Sequence, residues 1–323
     1  MLGKARVRLV YFDSNVYDHI AQTDATSAVK NVLAQARCHL FVSDSNLTEA
    51  LRISAIDERA RRVTTITTLC DRRSRFSWPH LEVTEILAEI RRCSPKWLNP
   101  NPDLRLIREV TDNLRKTFRR VEKDPTYLNN RHSLWSEETY TLIGKMKTSQ
   151  KELKAQDQPG ARFTDTPLPA ELAHLQPQYD ALTEPERYWR VRAAMAILTL
   201  LHEGKYDPWL KYLTPHLKGE IDALEWLSLW LFAFQADALP RIRVRALTDL
   251  YQLKRQITFG NVGDQTHAVH LLDVDVFFTA DRVFASVLGD VEREVDRGAQ
   301  IVQLSTQGDV VEQVVAAVRQ DER

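Results

Sequence analysis

VRLVYFDSN, Val7 to Asn15, is the stretch on which the fold turns. Arg8 is the one polar residue before the run stops at Asp13-Ser14-Asn15, all turn and helix-capping types. A short apolar run without alternation, closed by a cap, reads as a parallel strand buried on both faces and leading into a helix.

The same grammar recurs outward from there. Cys38 to Val42 (CHLFV) stops at Ser43-Asp44-Ser45-Asn46, so a helix is expected over Leu47 to Arg62 with Glu49 in its first turn. Arg75 to Trp78, closed by Pro79, reads as a third strand, with a helix from about Glu82 to Arg92. At the far end, Asp264 to Leu272 reads as helix, Val274 to Phe278 as strand, Arg282 to Leu288 as a short helix, Ala299 to Leu304 as strand and Asp309 to Arg319 as helix. Alternation at both ends predicts one parallel sheet with helices on both faces, a three-layer α/β/α sandwich.

The middle has a different texture. After Pro95, Pro100 and Pro102, helical periodicity runs through Asp103 to Lys123 and Leu134 to Lys154, and Gln156 to Pro169 is a polar, proline-bearing loop. Thr183-Glu184-Pro185-Glu186 is a helix start, with a cap, then proline and acids in the first turn. Further helical stretches end near Gln256. The expected organisation is a discontinuous α/β domain, 1–95 and 256–323, interrupted by an all-α insertion at 96–255. Ile221 to Ala236 (IDALEWLSLWLFAFQA) is interrupted by Asp222, Glu225 and Gln235 and falls short of the ~20 residues of a membrane span, so it is expected to be a core helix, and no membrane partner is implied. Trp189, Trp209, Trp226 and Trp230 lie in stretches rich in Leu and Ala and read as core rather than base-stacking residues.

Charge narrows the partners. Lys plus Arg equals Asp plus Glu at 44 each, but Leu51 to Gln150 holds 20 basic and 13 acidic residues whereas Ile257 to Arg323 holds 5 and 12. A basic middle and an acidic end suit a carboxylate site beside a phosphate-contacting surface, and equally suit ordinary solvated helix faces. Cys38, Cys70 and Cys93 form no CxxC pair, and the apolar run at the N-terminus is too short for a signal peptide; a reducing, cytoplasmic setting is expected.

Four acids are placed for chemistry. Asp13 ends the first strand, Glu49 and Asp264 sit in first helical turns, and Asp281 follows the strand at Val274 to Phe278, with Thr279 between. Ligands of open parallel sheets bind at the strands' carboxyl ends, so all four are expected at one rim. No Lys or Arg stands in their immediate motifs, and unpaired carboxylates together are costly unless a cation joins them. Mg²⁺ or Mn²⁺, with oxygen ligands and an activated water, would make hydrolysis of a phosphodiester the natural chemistry. No strand carries GxGxxG, which disfavours a dinucleotide enzyme.

Three segments, VYFDSNVY (Val10 to Tyr17), VSDSNLTEAL (Val42 to Leu51) and GDQTHAVHLLDVDVFFTADRVF (Gly263 to Phe284), resemble the signature regions of PIN domains, a class of metal-dependent nucleases. The resemblance covers about Lys4 to Pro95 and Phe259 to Gln320. It implies a metal site of Asp13, Glu49, Asp264 and Asp281, with Ser14, Asn15 and Thr279 orienting carboxylates or water, Mg²⁺ or Mn²⁺ as cofactor, and RNA ahead of DNA as substrate. The insertion, longer than the family's usual connection, would select substrate or bind a partner protein, and self-association stays open. The rival expectations are a non-catalytic nucleic-acid-binding or scaffold protein, and a nuclease toxin held by a partner.

Other residues read more plainly. His267 and His270 lie three apart on the Asp264 helix; His267 shares its face with Asp264 and is expected to be a surface or packing histidine ahead of a base or phosphate contact. Asp273 and Asp275 read as turn residues. Arg59, Arg61, Arg62, Arg72, Arg73 and Arg75, with Arg119, Arg120 and Lys123, are the densest basic groups and the candidates for phosphate contact.

Overall fold

The structure is a computed structural model that describes residues 7–74, 76–127, 144, 147–148, 151, 168–203, 208–219, 221–255 and 261–319. In chain order its first elements are β1 (Arg8–Phe12), α1 (Ser14–Gln22), α2 (Thr26–Gln35), β2 (Cys38–Val42), α3 (Asp44–Ala50), α4 (Ile56–Leu69), β3 (Arg72–Arg73), α5 (Trp78–Cys93) and α6 (Arg105–Lys123). There follow α7 (Gln176–Ala181), α8 (Glu184–Glu203), α9 (Pro208–Leu213), α10 (Ala223–Ser228), α11 (Pro240–Leu253) and α12 (Asn261–Ala268). The chain closes with β4 (Val276–Thr279), α13 (Arg282–Val295), β5 (Gln300–Gln303) and α14 (Val310–Arg319). No helix among the described residues is long and apolar enough to cross a membrane.

The expected α/β class is what the chain adopts: five parallel strands in the order β3-β2-β1-β4-β5, with helices on both faces. Strand alternation divides the side chains. Val10, Phe12, Leu40, Val42, Val276 and Phe278 face one core, closed by Val16, Tyr17 and Ile20 of α1, Val29 and Leu33 of α2, Val63 and Ile66 of α4, and Val314 and Val318 of α14. Burying each large side chain contributes roughly 1.5–3 kcal/mol, which makes this layer the main stabilising contact of the sheet. Tyr11, Phe41 and Phe277 face the opposite way, where Tyr11 packs on Phe277 and His270 at ring separations of 4.9 and 5.1 Å, and Phe284 of α13 edges Phe277 at 5.9 Å.

Two compact units divide the chain: Met1–Ser77 with Thr111–Tyr140 and Val262–Arg323, and Trp78–Val110 with Thr141–Asn261. The line expected at 95/96 therefore falls inside the second unit. α5 belongs there because Glu82 and Glu89 find their partners in it, Glu82 on Arg245 Nε at 2.8 Å and Glu89 on the Gln235 amide at 2.7 Å. The later part of α6 belongs to the first unit because Phe118 and Val121 enter the sheet's core.

Several expected elements shift. The third strand is Arg72–Arg73 rather than Arg75 to Trp78, and Trp78 instead opens α5. The single helix expected over Leu47 to Arg62 is two, α3 and α4, which moves Glu49 from a first turn to a last one; the Ser43 and Asn46 capping box starts α3 earlier. Ile221 to Ala236 breaks into α10, a π turn at Leu229–Ala233 and a 3₁₀ turn. Buried Arg190 Nη1 donates to Trp230 O and Phe234 O, both at 2.9 Å, satisfying carbonyls there that would otherwise lack a partner. α13 extends to Val295, well past Leu288. The helix at 134–154 and the loop at 156–169 lie largely outside the described residues.

Candidate metal centre

β1 and β4 are neighbours, while the chain leaves β1 on its other side toward β2, so the strand order reverses between them. Such a switch point opens a crevice at the strands' carboxyl ends. Phe12 pairs with Phe278, which sets Asp13 beside Thr279 at that mouth. The Thr279 hydroxyl donates to Asp13 Oδ2, while Asp13 Oδ1 caps α1 by accepting from the Val16 amide at 3.0 Å. Asp281 caps α13, its Oδ1 accepting from the amides of Val283 at 2.7 Å and Phe284 at 2.9 Å. Asp264 lies in the first turn of α12, as expected.

Glu49 reaches the same mouth from the end of α3. Ser14 Oγ donates to Glu49 Oε2, and His267 Nε2 stands 3.1 Å from that oxygen. Its other oxygen lies against Gly263, where any Cβ would overlap Oε1. Ser14, Gly263 and His267 thus hold one carboxylate from three sides. Glu49, rather than Asp44, is the acid they meet. Asn15 is exposed, and none of the hydrogen bonds of this site among the described residues involves it.

His267 is the residue sequence reasoning undervalued. It is buried at 3 % exposure, not at the surface, and its Nε2 stands against the Glu49 carboxylate. Its i, i+3 spacing from Asp264, on the same helix face, was the available signal. His270 is a packing residue, fully buried and bonded to Asp273 Oδ2 at 3.1 Å. Asp275 is structural too, its Oδ2 accepting from the Leu9 amide at 2.7 Å.

Burial and mutual charge set the protonation of the site. Burial raises the Asp13 carboxyl to about 6; the Thr279 hydrogen bond and the charge of His267 work against it. Asp264 is held well above the carboxylate range by burial, opposed by His267 and reinforced by the charges of Asp281, Asp13 and Glu49 in that order. Glu49 goes the other way: burial pushes it up, but the charge and hydrogen bond of His267, with the Ser14 bond, bring it below its ordinary value. Burial disfavours a charged His267, yet Glu49, Asp13 and Asp264 outweigh it and raise the imidazole.

Carboxylates with hydroxyls beside them are the donor types that a hard divalent cation takes. Asp13, Glu49, Asp264 and Asp281 are the residues that would hold it. Among the described residues no group of three or more His, Cys, Asp or Glu is gathered closely enough to bind an ion. Glu49 is committed instead to Ser14 and His267, and Asp281 Oδ1 to the start of α13.

The basic groups divide. Arg59 is buried and structural, donating to Ile53 O at 2.6 Å and Thr126 O at 3.0 Å, and Arg62 pairs with Asp18. Arg61, Arg72, Arg119, Arg120 and Lys123 are exposed. β3 pairs with the end of β2, Val42 against Arg73, so Arg72 and Arg73 stand on the same edge of the sheet as the acids. Arg73 pairs with Glu122 and lies over the Phe118 ring, which brings the end of α6 alongside.

No family model, curated protein or solved structure matches this chain.

Proposed function

We propose that the first unit is a divalent-metal-dependent nuclease, hydrolysing phosphodiester bonds of RNA in preference to DNA, in the cytoplasm. What carries the reading is Asp264: after burial, its carboxyl responds to the charges of Asp281, Asp13 and Glu49, so four acids from both chain ends share one electrostatic neighbourhood. The similarity of the three segments to PIN domains supports the same site and favours RNA. Mg²⁺ or Mn²⁺, when bound, would supply an activated water and neutralise charge developing on the phosphate. The protein's own residues orient: Thr279 fixes the Asp13 carboxyl, and Ser14 and His267 fix Glu49. The helical unit at Trp78–Val110 and Thr141–Asn261 would select the substrate or a partner protein.

One observation favours a second reading, a non-catalytic nucleic-acid-binding or scaffold protein. Glu49 is already engaged by His267 and Ser14, as expected of a site that no longer needs metal. One experiment separates the two. Purified protein is incubated with single-stranded RNA and DNA in Mn²⁺, Mg²⁺ or EDTA, beside Asp13→Asn and Asp264→Asn. Metal-dependent cleavage lost in both folded variants supports the nuclease. Binding without cleavage supports the second reading, and cleavage unchanged in both variants sinks the assignment of these acids.

A further inference from the structure

We infer that a cavity at the amino ends of β1 and β2 is a second ligand site, for a small organic carboxylate: an apolar body of naphthalene size with one anionic head. It lies wholly within the first unit and is independent of the four acids, which stand toward the carboxyl ends of the strands.

The cavity holds about 310 Å³, at the small end of the range for organic ligands. Its buried lining is apolar: Leu33 of α2, Leu69 of α4 and Cys38 at the start of β2. Its exposed lining is charged, with Lys30 and Arg37 against the single acid Asp71. The sequence places these groups together. Lys30, Leu33 and Ala34 fall at i, i+3 and i+4 of α2, so one helix face carries both a cation and the apolar wall. Lys30 Nζ donates to Thr68 O at 2.9 Å, which holds the ammonium beside the end of α4 and leaves it further donors. Asp71 Oδ2 accepts from the Leu40 amide at 2.9 Å. Neither Lys30 nor Arg37 forms an ion pair among the described residues. An apolar base beside two such cations complements a ligand with an apolar body and a carboxylate head.

Arg37 is the residue the fold does not require. It follows the Ala36 cap of α2 with φ 53°, in the left-handed region where glycine is the usual choice and a side chain is strained. The turn is held by backbone alone, Arg37 N donating to Ala34 O at 3.1 Å and Arg8 N to Arg37 O at 3.3 Å. The guanidinium has no hydrogen-bond partner among the described residues. A strained arginine without an internal partner, lining a cavity, points to a partner outside the chain. Its structural rival is a cation answering the last carbonyls of α2. The two roles predict different results for Arg37→Gly.

The test is calorimetric titration of the full chain with naphthoate, naphthamide and naphthylmethylamine, which share a body and differ in the head. Naphthoate should bind, and the amide and amine should bind roughly tenfold more weakly, as expected when a charge-assisted hydrogen bond is lost. Arg37→Gly should weaken naphthoate by a similar factor while its Tm holds or rises. Ala34→Trp, at an exposed position on the cavity wall, should block naphthoate by filling the space, and it carries the test if Arg37→Gly fails to fold. Arg119→Ala, on the exposed face of α6, should leave binding unchanged. Unchanged affinity in Arg37→Gly, with a lowered Tm, assigns the arginine to the helix end and overturns the inference. Equal affinity for the three probes, equal loss in Arg119→Ala, full binding by Ala34→Trp, or no binding at millimolar naphthoate overturns it as well. None of these outcomes bears on the nuclease reading.

Discussion

Thr279 donates its hydroxyl to the Asp13 carboxylate across 266 residues of sequence, and the same oxygen accepts the Asp281 amide at 3.0 Å. This one side chain ties the end of β1 to the turn after β4, with Asp13 and Thr279 themselves buried at the sheet's switch point. Thr279→Val keeps the shape but leaves Asp13 Oδ2 without its donor. Stability should fall by about 1–3 kcal/mol in urea unfolding, the cost of orphaning a buried charged acceptor. Thr279→Ser should recover most of the loss, whereas a purely steric role would leave Val the better replacement.

Asp13 makes stability depend on pH in a direction opposite to most paired carboxylates. Its carboxyl titrates near 6 when folded, against 3.8 ordinarily, so the folded state binds the proton more tightly than the unfolded chain. Stability is then lost as pH rises through that window. The full difference corresponds to about 3 kcal/mol. Asparagine remains a good cap for α1. Metal-free Asp13→Asn should therefore melt higher than the unaltered protein at pH 7 and by much less at pH 4; equal differences at both would remove burial of the charge as the cause.

Gly263 shows how a rule of helix propensity reverses at a site. Alanine in an exposed helical position is favoured over glycine by about 1 kcal/mol. At residue 263 the added methyl would overlap Glu49 Oε1, so Gly263→Ala should be destabilising and should displace Glu49 from His267. Glu49→Ala in the same chain should restore the usual sign, with the double variant more stable than Gly263→Ala alone. Thermal melts of the three proteins in EDTA check this.

The fold was legible because its signals are local. The run ending at Asp13 and the strand before Thr279 are dense in β-branched and aromatic residues, and buried parallel strands need little else. β3 was misplaced because two exposed arginines carry no apolar signature; their place is set by pairing with Phe41 and Val42. The four acids could be named from their positions at element ends. The partner of Glu49 could not, because His267 meets it across more than two hundred residues of chain and from the face of a different helix. Helix 221–236 was overextended for a similar reason: the Arg190 that satisfies its carbonyls lies in α8.

The exposed arginines at the sheet's edge give the last expectation. Arg72 on β3 and Arg119 on α6 are exposed, in the region where Arg73 meets Glu122, and on the acids' edge of the sheet. If nucleic acid approaches the acids along this edge, Arg72→Ala and Arg119→Ala should weaken binding of single-stranded RNA to a similar extent for unrelated sequences. Each should also lower the slope of log affinity against log salt by about 1, the signature of a phosphate contact. Arg59→Ala should behave otherwise, costing stability because its guanidinium bonds Ile53 and Thr126 carbonyls inside the unit. Fluorescence anisotropy across a salt series measures the first effect and urea unfolding the second. An unchanged slope in both edge variants would send the substrate path elsewhere on the molecule.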